Sequence, residues 1–341
     1  MTQSLPATKT WHDVTEKMFQ ESIVPLYQPA ILKNIVSDWE VIKLVQQSPT
    51  ALGNYRHQAT YQYPPVELFV GDPEIAGRYS YGTSVDEYNF KRVKTDFQNV
   101  VNHLSAGLNQ PLPVSAYGGA IDIETQMPLF CERNPAPTFL AGKSASARAW
   151  IGNAANISTH FDVQDNIACL VSGKREFMLF PPEQVANLYV GPIDKTIAGP
   201  PTSLVDMNAP DFKQHPLYAK ALEAAQVAVL EPGDALYIPS LWWHNVKSQG
   251  QFCMLVNYWW DNPEFGRNKT MLALINGLYS ISHLPQAERE AWRALFDHFV
   301  FQSNGSPLDY LPDEQRGVLG KMTPQRYSKI ENLLLSGLKA S

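Results

Sequence analysis

The chain has 341 residues, of which 44% are hydrophobic and 18% charged, with a formal net charge of −6. This is the composition of a globular protein long enough for one large or two ordinary domains. The acidic balance and the absence of a long Lys/Arg run count against nucleic acid as a partner, and no run of about eighteen apolar residues is present to span a membrane.

Val14 to Ile23 is predicted as a short helix, followed by Pro25 and the apolar run Ala30-Ile31-Leu32. Trp39 and Val41 to Val45 lead into a second helix. Tyr55 to Val70 is aromatic and β-branched, interrupted by Pro64 and Pro65, and is expected to form strands of modest length. Phe97 to Leu104 is again helical, with Gly107 as its stop. The texture then changes to short β-like runs: Tyr117 to Ile123, Ala147 to Ile151, Ile167 to Val171 and Glu176 to Phe180. Pro181-Pro182 ends the last of these, because proline cannot donate to a ladder. Val190 to Pro216 reads as loop and Leu217 to Ala225 as a short helix. Val227 to Leu230, Ala235 to Ile238 and Cys253 to Trp259 resume the strand pattern, with the turn Glu231-Pro-Gly-Asp234 between the first two. Past Asn262-Pro263 only helical spacing remains. It appears in Met271, Leu274, Ile275 and Leu278, in Trp292, Leu295, Phe296 and Phe299, and in a last helix opened by Thr323-Pro324.

The pattern predicts a mainly β protein with flanking helices. Residues 1–110 form a mixed α/β segment packing on a barrel, 111–262 the barrel, and 263–341 a helical region. The apolar C-terminal helices cannot bury themselves alone, so they either cap the barrel or pair with a second copy as a homodimer.

One constellation carries chemistry. Ser158-Thr-His160-Phe-Asp162 stands at a junction between β runs, and Trp242-Trp-His244 follows a second strand pair that returns the chain to the same mouth. Two imidazoles and one carboxylate can hold one face of a divalent metal and leave its other positions open, the arrangement of non-haem Fe(II) oxygenases. A His-x-Asp triplet alone is also what a capped surface loop contains. The second histidine, the polar Asn166 and Asn257 on apolar strands, and Arg175 just after Gly173 separate the two readings. His12, His57, His103, His215, His283 and His298 have no such partner spacing. Trp242-Trp243 and Tyr258-Trp259-Trp260 are expected in the barrel core, with one or two rings lining the pocket.

At these residues the chain resembles the cupin-like branch of the JmjC oxygenases, the family of the asparaginyl hydroxylase that inhibits hypoxia-inducible factor. The likeness runs through His160-Phe-Asp162, Asn166, Gly173-Lys-Arg-Glu-Phe-Met-Leu-Phe-Pro-Pro182 and Asn187-Leu-Tyr189. It continues through Glu231-Pro-Gly-Asp-Ala-Leu-Tyr-Ile-Pro239, Trp242-Trp-His244 and Val256-Asn-Tyr-Trp259. It is clear over about 150–261, and looser at Pro29 to Trp39. The resemblance implies a double-stranded β-helix, or jelly-roll, holding Fe(II) through His160, Asp162 and His244. It also implies 2-oxoglutarate and molecular oxygen as cosubstrates and hydroxylation of a peptide, protein or small-molecule C–H bond.

The family's usual lysine for the far carboxylate of 2-oxoglutarate falls at Arg175 here, preceded by Lys174. Adjacent strand residues face opposite ways, so only one of the two looks inward. Arg175 is the choice, since its fork grips a carboxylate bidentately. Ser158 or Thr159 is expected to supply a hydroxyl to the same pocket and Tyr117 another, while Asn166 and Asn257 line it. The rival classes are a metal cupin independent of 2-oxoglutarate, such as an isomerase or dioxygenase, and a catalytically silent binding module. Cys131, Cys169 and Cys253 are scattered and form no CxxC pair, which argues against disulfides and structural zinc. With no apolar signal segment in Met1 to Trp11, the expected setting is the cytoplasm.

Overall fold

A computed structural model describes residues 5–56, 61–110, 113–197, 199–261 and 270–339. Twelve strands among these residues form one mixed sheet. They are β1 (Thr10–Trp11), β2 (Ala30–Leu32), β3 (Val66–Gly71), β4 (Arg78–Tyr79), β5 (Lys91–Thr95) and β6 (Ser115–Asp122). The series continues with β7 (Ser146–Gly152), β8 (Ala155–His160), β9 (Asp165–Phe180), β10 (Gln226–Leu230), β11 (Ala235–Ile238) and β12 (Trp243–Trp260). The order is β1-β2-β11-β9-β12-β7-β6-β3-β5, with β10 beside β9 and β8 between β12 and β4.

The two long strands make this sheet curl into a jelly-roll. β9 and β12 pair with each other along their lengths. One half of β9 takes β11 and the other takes β10. One half of β12 takes β7 and the other takes β8. Each long strand therefore belongs to both halves of the roll.

The bend of β9 lies at Gly173, and it also switches which side chains face inward. Before it, Ile167, Cys169 and Val171 bury against the outer core with Trp39 and Phe130. Ala168 and Leu170 join the inner cluster with Leu236 and Ile238. After it, Phe177 and Leu179 are the residues that join the inner cluster. The inward set has moved from even to odd positions, which strand alternation allows only where an extra residue is inserted. Gly173 has φ +79°, and a Cβ there would lie 2.7 Å from Cys253 Sγ and 3.0 Å from Gln249 O. Facing it, β12 shifts register between Gln249, Met254 and Leu255.

The expected runs 167–171 and 176–180 are thus one strand, because the ladder with β12 carries the backbone through the glycine. The expected 253–259 run extends back to Trp243. Of the predicted 55–70 strand region only Val66–Gly71 is strand. Pro49–Tyr55 is a 3-10 helix, 61–65 is irregular around the two prolines, and 57–60, with His57, lie outside the described residues. Helices Glu40–Gln47 and Phe97–Ala106 turn Val41, Val45, Val100 and Leu104 into the outer core. Asp96 caps the second of these, its side chain accepting from Gln98 N at 2.7 Å.

By compactness the chain divides into Met1–Trp260 and Asp261–Ser341. The strands on both sides of residue 110 lie in the first unit and in one sheet; the boundary expected at 262/263 falls among 262–269, outside the described residues. The second unit holds helices Thr270–Ser280, Gln286–Phe299 and Pro324–Lys339, none of which has a buried residue. Among the described residues no helix is long and apolar enough to cross a membrane.

Gly173→Ala is expected to cost about 1–3 kcal/mol, the strain of a left-handed non-glycine residue, whereas Gly277→Ala, with open space around its Cβ, should cost nothing. Urea denaturation of the two variants checks this.

Candidate metal centre and its pocket

The antiparallel pairing of β8 with β12 sets His160 directly opposite His244. Asp162 follows two residues beyond the end of β8, and its backbone carbonyl accepts from Leu241 N at 2.8 Å, which ties it to the turn entering β12. The imidazole centroids are 4.3 Å apart, and His244 Nε2 is 3.7 Å from Asp162 Oδ2. One ligand atom from each of the three residues lies within 4.8 Å of the others.

Both histidines are oriented by their own strands. His160 Nδ1 is 2.8 Å from Ser158 O, and His244 Nδ1 is 3.0 Å from Trp242 O. With each Nδ1–H donating to a carbonyl, both Nε2 lone pairs are left for a metal. Burial pushes the His244 pKa down to about 4, and the neighbouring His160 adds to this while Asp162 opposes it. At neutral pH His244 is the uncharged imidazole that a metal requires.

The triad opens on a cavity of about 490 Å³ whose lining also includes Arg175, Tyr117, Asn166 and Asn257. Arg175 is 1% exposed, while Lys174 is exposed; the inward turn follows from the parity switch at Gly173. Arg175 lies near Tyr117 and lowers that tyrosine's pKa against the larger effect of burial, and the Nε and Nη2 of its guanidinium have no hydrogen-bond partner. A buried cation with unsatisfied N–H groups costs several kcal/mol unless an anion completes it. The two free groups form the fork that a carboxylate fits. Asn257 Nδ2 donates to Asn166 Oδ1 at 2.9 Å, which leaves Asn257 Oδ1 open.

The two candidate hydroxyls beside His160 are placed differently from each other. Ser158 lines the cavity, but its hydroxyl donates to Tyr79 O at 3.5 Å. Thr159 does not line the cavity, and its hydroxyl is spent on Met207 Sδ at 3.3 Å. Of the aromatic runs, Trp242, Trp243, Tyr258 and Trp260 are buried, and Trp259 lines the cavity.

Sequence reasoning did not find Tyr79, or the Thr196-Ile197 roof contributed by the 190–216 loop. Neither lies in a periodic stretch. The one hint was the tyrosine density of 79–90.

A family model described as a cupin-like domain matches residues 15–265. The chain belongs to the cupin-like domain family. Like JmjC proteins, this cupin-like chain carries a His-Asp-His site at the mouth of its roll. It is 26% identical over 267 residues to tRNA wybutosine-synthesizing protein 5 of Gallus gallus, covering 73% of this chain and 75% of that one. It is 29% identical over 206 residues to the human bifunctional peptidase and (3S)-lysyl hydroxylase JMJD7, covering 55% and 59%. Over 128 residues it is 36% identical to the Arabidopsis thaliana lysine-specific demethylase JMJ31, covering 37% of this chain and 23% of that one.

His160→Ala and Asp162→Ala should each lower bound divalent metal from about one ion per chain to a trace while leaving the far-UV circular dichroism unchanged. Metal analysis after gel filtration reads the result.

Proposed function

We propose that the chain is an Fe(II)- and 2-oxoglutarate-dependent oxygenase that hydroxylates a C–H bond of a peptide, protein or small molecule. The observation that carries this reading is Arg175, a buried guanidinium with two unpartnered N–H groups in the same cavity as the triad. A metal cupin without an anionic cosubstrate would leave that cation unexplained. In the proposed reaction 2-oxoglutarate, oxygen and R–H become succinate, carbon dioxide and R–OH; N-demethylation is the same event followed by loss of formaldehyde.

The residues have distinct tasks. His160, Asp162 and His244 would hold the metal on one face. Arg175 and Tyr117 would bind the far carboxylate, with the Tyr117 hydroxyl kept protonated because burial pushes its pKa up to about 12 against the opposing effect of Arg175. The Asn166–Asn257 pair would orient ligands beside the metal, and Phe177, Val246 and Leu255 keep water from the reacting carbon. The cavity volume suits a side chain or a small molecule alongside the cosubstrate. The name of the Gallus gallus relative favours a second reading, a nucleoside in tRNA; the net charge of −6 weighs against it.

The test is anaerobic titration of Fe(II)-loaded protein with 2-oxoglutarate, followed by its visible charge-transfer band. A saturable band is expected, with affinity falling at least tenfold, or about 1.4 kcal/mol, in Arg175→Ala. No band with iron bound would return the site to the 2-oxoglutarate-independent cupins.

We further propose that the helical unit pairs with a second copy of the chain. Leu274, Ile275, Leu278, Leu295, Leu334 and Leu338 are all more than 40% exposed, and exposed apolar side chains on helices are the material of an interaction surface. Light scattering should give twice the chain mass for the native protein and the single mass for Leu278→Glu/Leu334→Glu.

A further inference from the structure

Two of the three candidate ligands, His160 and His244, sit on strands, but Asp162 does not. It lies in the irregular connection 161–164 between β8 and β9, so no ladder fixes it. The connection is held by the turn that leads into β12. Leu241 N donates to Asp162 O at 2.8 Å, and Ser240 Oγ donates to Val163 O at 2.9 Å. Phe161 packs edge-on against Trp243, with ring centroids 4.8 Å apart.

That turn is itself strained. Leu241 has φ +65°, a left-handed conformation that a bulky non-glycine residue holds only where its surroundings impose it. The bonds that impose it converge on Ser240. The Tyr27 hydroxyl donates to Ser240 O at 2.5 Å, and Trp242 N closes the turn on Pro239 O at 3.2 Å. Ser240 N donates to Asp165 Oδ1 at 3.2 Å, and the same oxygen accepts from the Tyr237 hydroxyl at 3.0 Å. Burial raises the Tyr237 pKa and Asp165 adds to the effect, so this hydroxyl stays a donor.

Asp165 is 3% exposed, stands three residues after Asp162 and opens β9. Its first neighbours in the sheet are Trp260 on β12 and, one residue on, Ile238 on β11. The carboxylate therefore reaches the turn from a rigid base. Burying an anion is costly unless its bonds are made, and an apolar residue of similar size would fill the space without fixing Ser240.

We propose that Asp165 is a positioning residue for the metal centre. It clamps the 239–241 turn to the head of β9, and the turn holds the backbone of Asp162, which sets where that carboxylate stands opposite His244. The inference rests on the triad as a metal centre and not on the cosubstrate.

The experiment titrates the metal-free full chain with Co(II), whose visible ligand-field absorption reports both affinity and ligand arrangement. Asp165→Ala should bind Co(II) about tenfold to a hundredfold more weakly, the usual effect of removing an outer partner of a metal ligand, with a changed band shape. Asp165→Asn, whose amide oxygen can accept the same two bonds, should restore the wild-type band. Asp234 is the control. It is also a buried carboxylate, and its bonds join the 231–234 turn to Lys33 and Asn34. Asp234→Ala should lower the Tm and leave the Co(II) band unchanged. A folded Asp165→Ala protein with wild-type affinity and band overturns the role of Asp165, as does equal impairment of Asp165→Ala and Asp165→Asn, or of Asp165→Ala and Asp234→Ala. If Asp165→Ala does not fold, Ser240→Ala tests the same clamp, with an expected loss of about threefold for one hydrogen bond; wild-type affinity there overturns the proposal. Wild-type protein that takes up no Co(II) would remove the metal centre and this role together.

Discussion

The site depends on the pairing of β8 with β12, which puts His160 across from His244. A cationic imidazole is unfavourable so close to a second one in a buried mouth, and burial together with His160 holds His244 neutral. The strands also aim the rings, since each Nδ1 is held by the carbonyl two residues earlier. Ligand geometry is therefore set by backbone ladders, the stiffest part of the fold, and Asp162 is tied to the turn that starts β12.

The opposite end of the cavity obeys a different constraint. Arg175 reaches the interior because β9 changes face at Gly173, and the inward cation is left with Nε and Nη2 donors that have no protein partner among the described residues. An anion bound there would relieve a cost that the folded protein otherwise carries, so ligand binding and stability are coupled through this one side chain. Three side chains that could hold a metal stand at the mouth, and the unpartnered guanidinium of Arg175 lines the same cavity.

The remaining wall is made of less regular chain. Tyr81 donates to Lys195 O at 2.5 Å and Tyr88 to Thr196 O at 3.0 Å, pinning the segment that brings Ile197 into the aromatic cluster around Tyr79. These ties come from exposed hydroxyls and are individually modest. Ladder-built strands thus carry the two histidines of the triad, and loop-built residues shape the rest of the cavity.

The sequence alone singled out His160, Asp162 and His244, which the fold brings together, and it determined the jelly-roll class, most of the strands, and the helices Glu40–Gln47, Phe97–Ala106 and Pro324–Lys339, because spacing, alternation and proline or glycine punctuation are local properties. His160 and Asp162 were legible as a pair of donors separated by one residue, and His244 as the third in a mouth that the strand order had to return to. Tertiary structure alone decided which of two adjacent basic residues looks inward, since the bulge at Gly173 is stabilised by the facing register shift in β12. It decided that Thr159 faces Met207, and that a tyrosine from a two-residue strand lines the cavity. Those outcomes depend on contacts between segments far apart in the chain, and no local pattern encodes them.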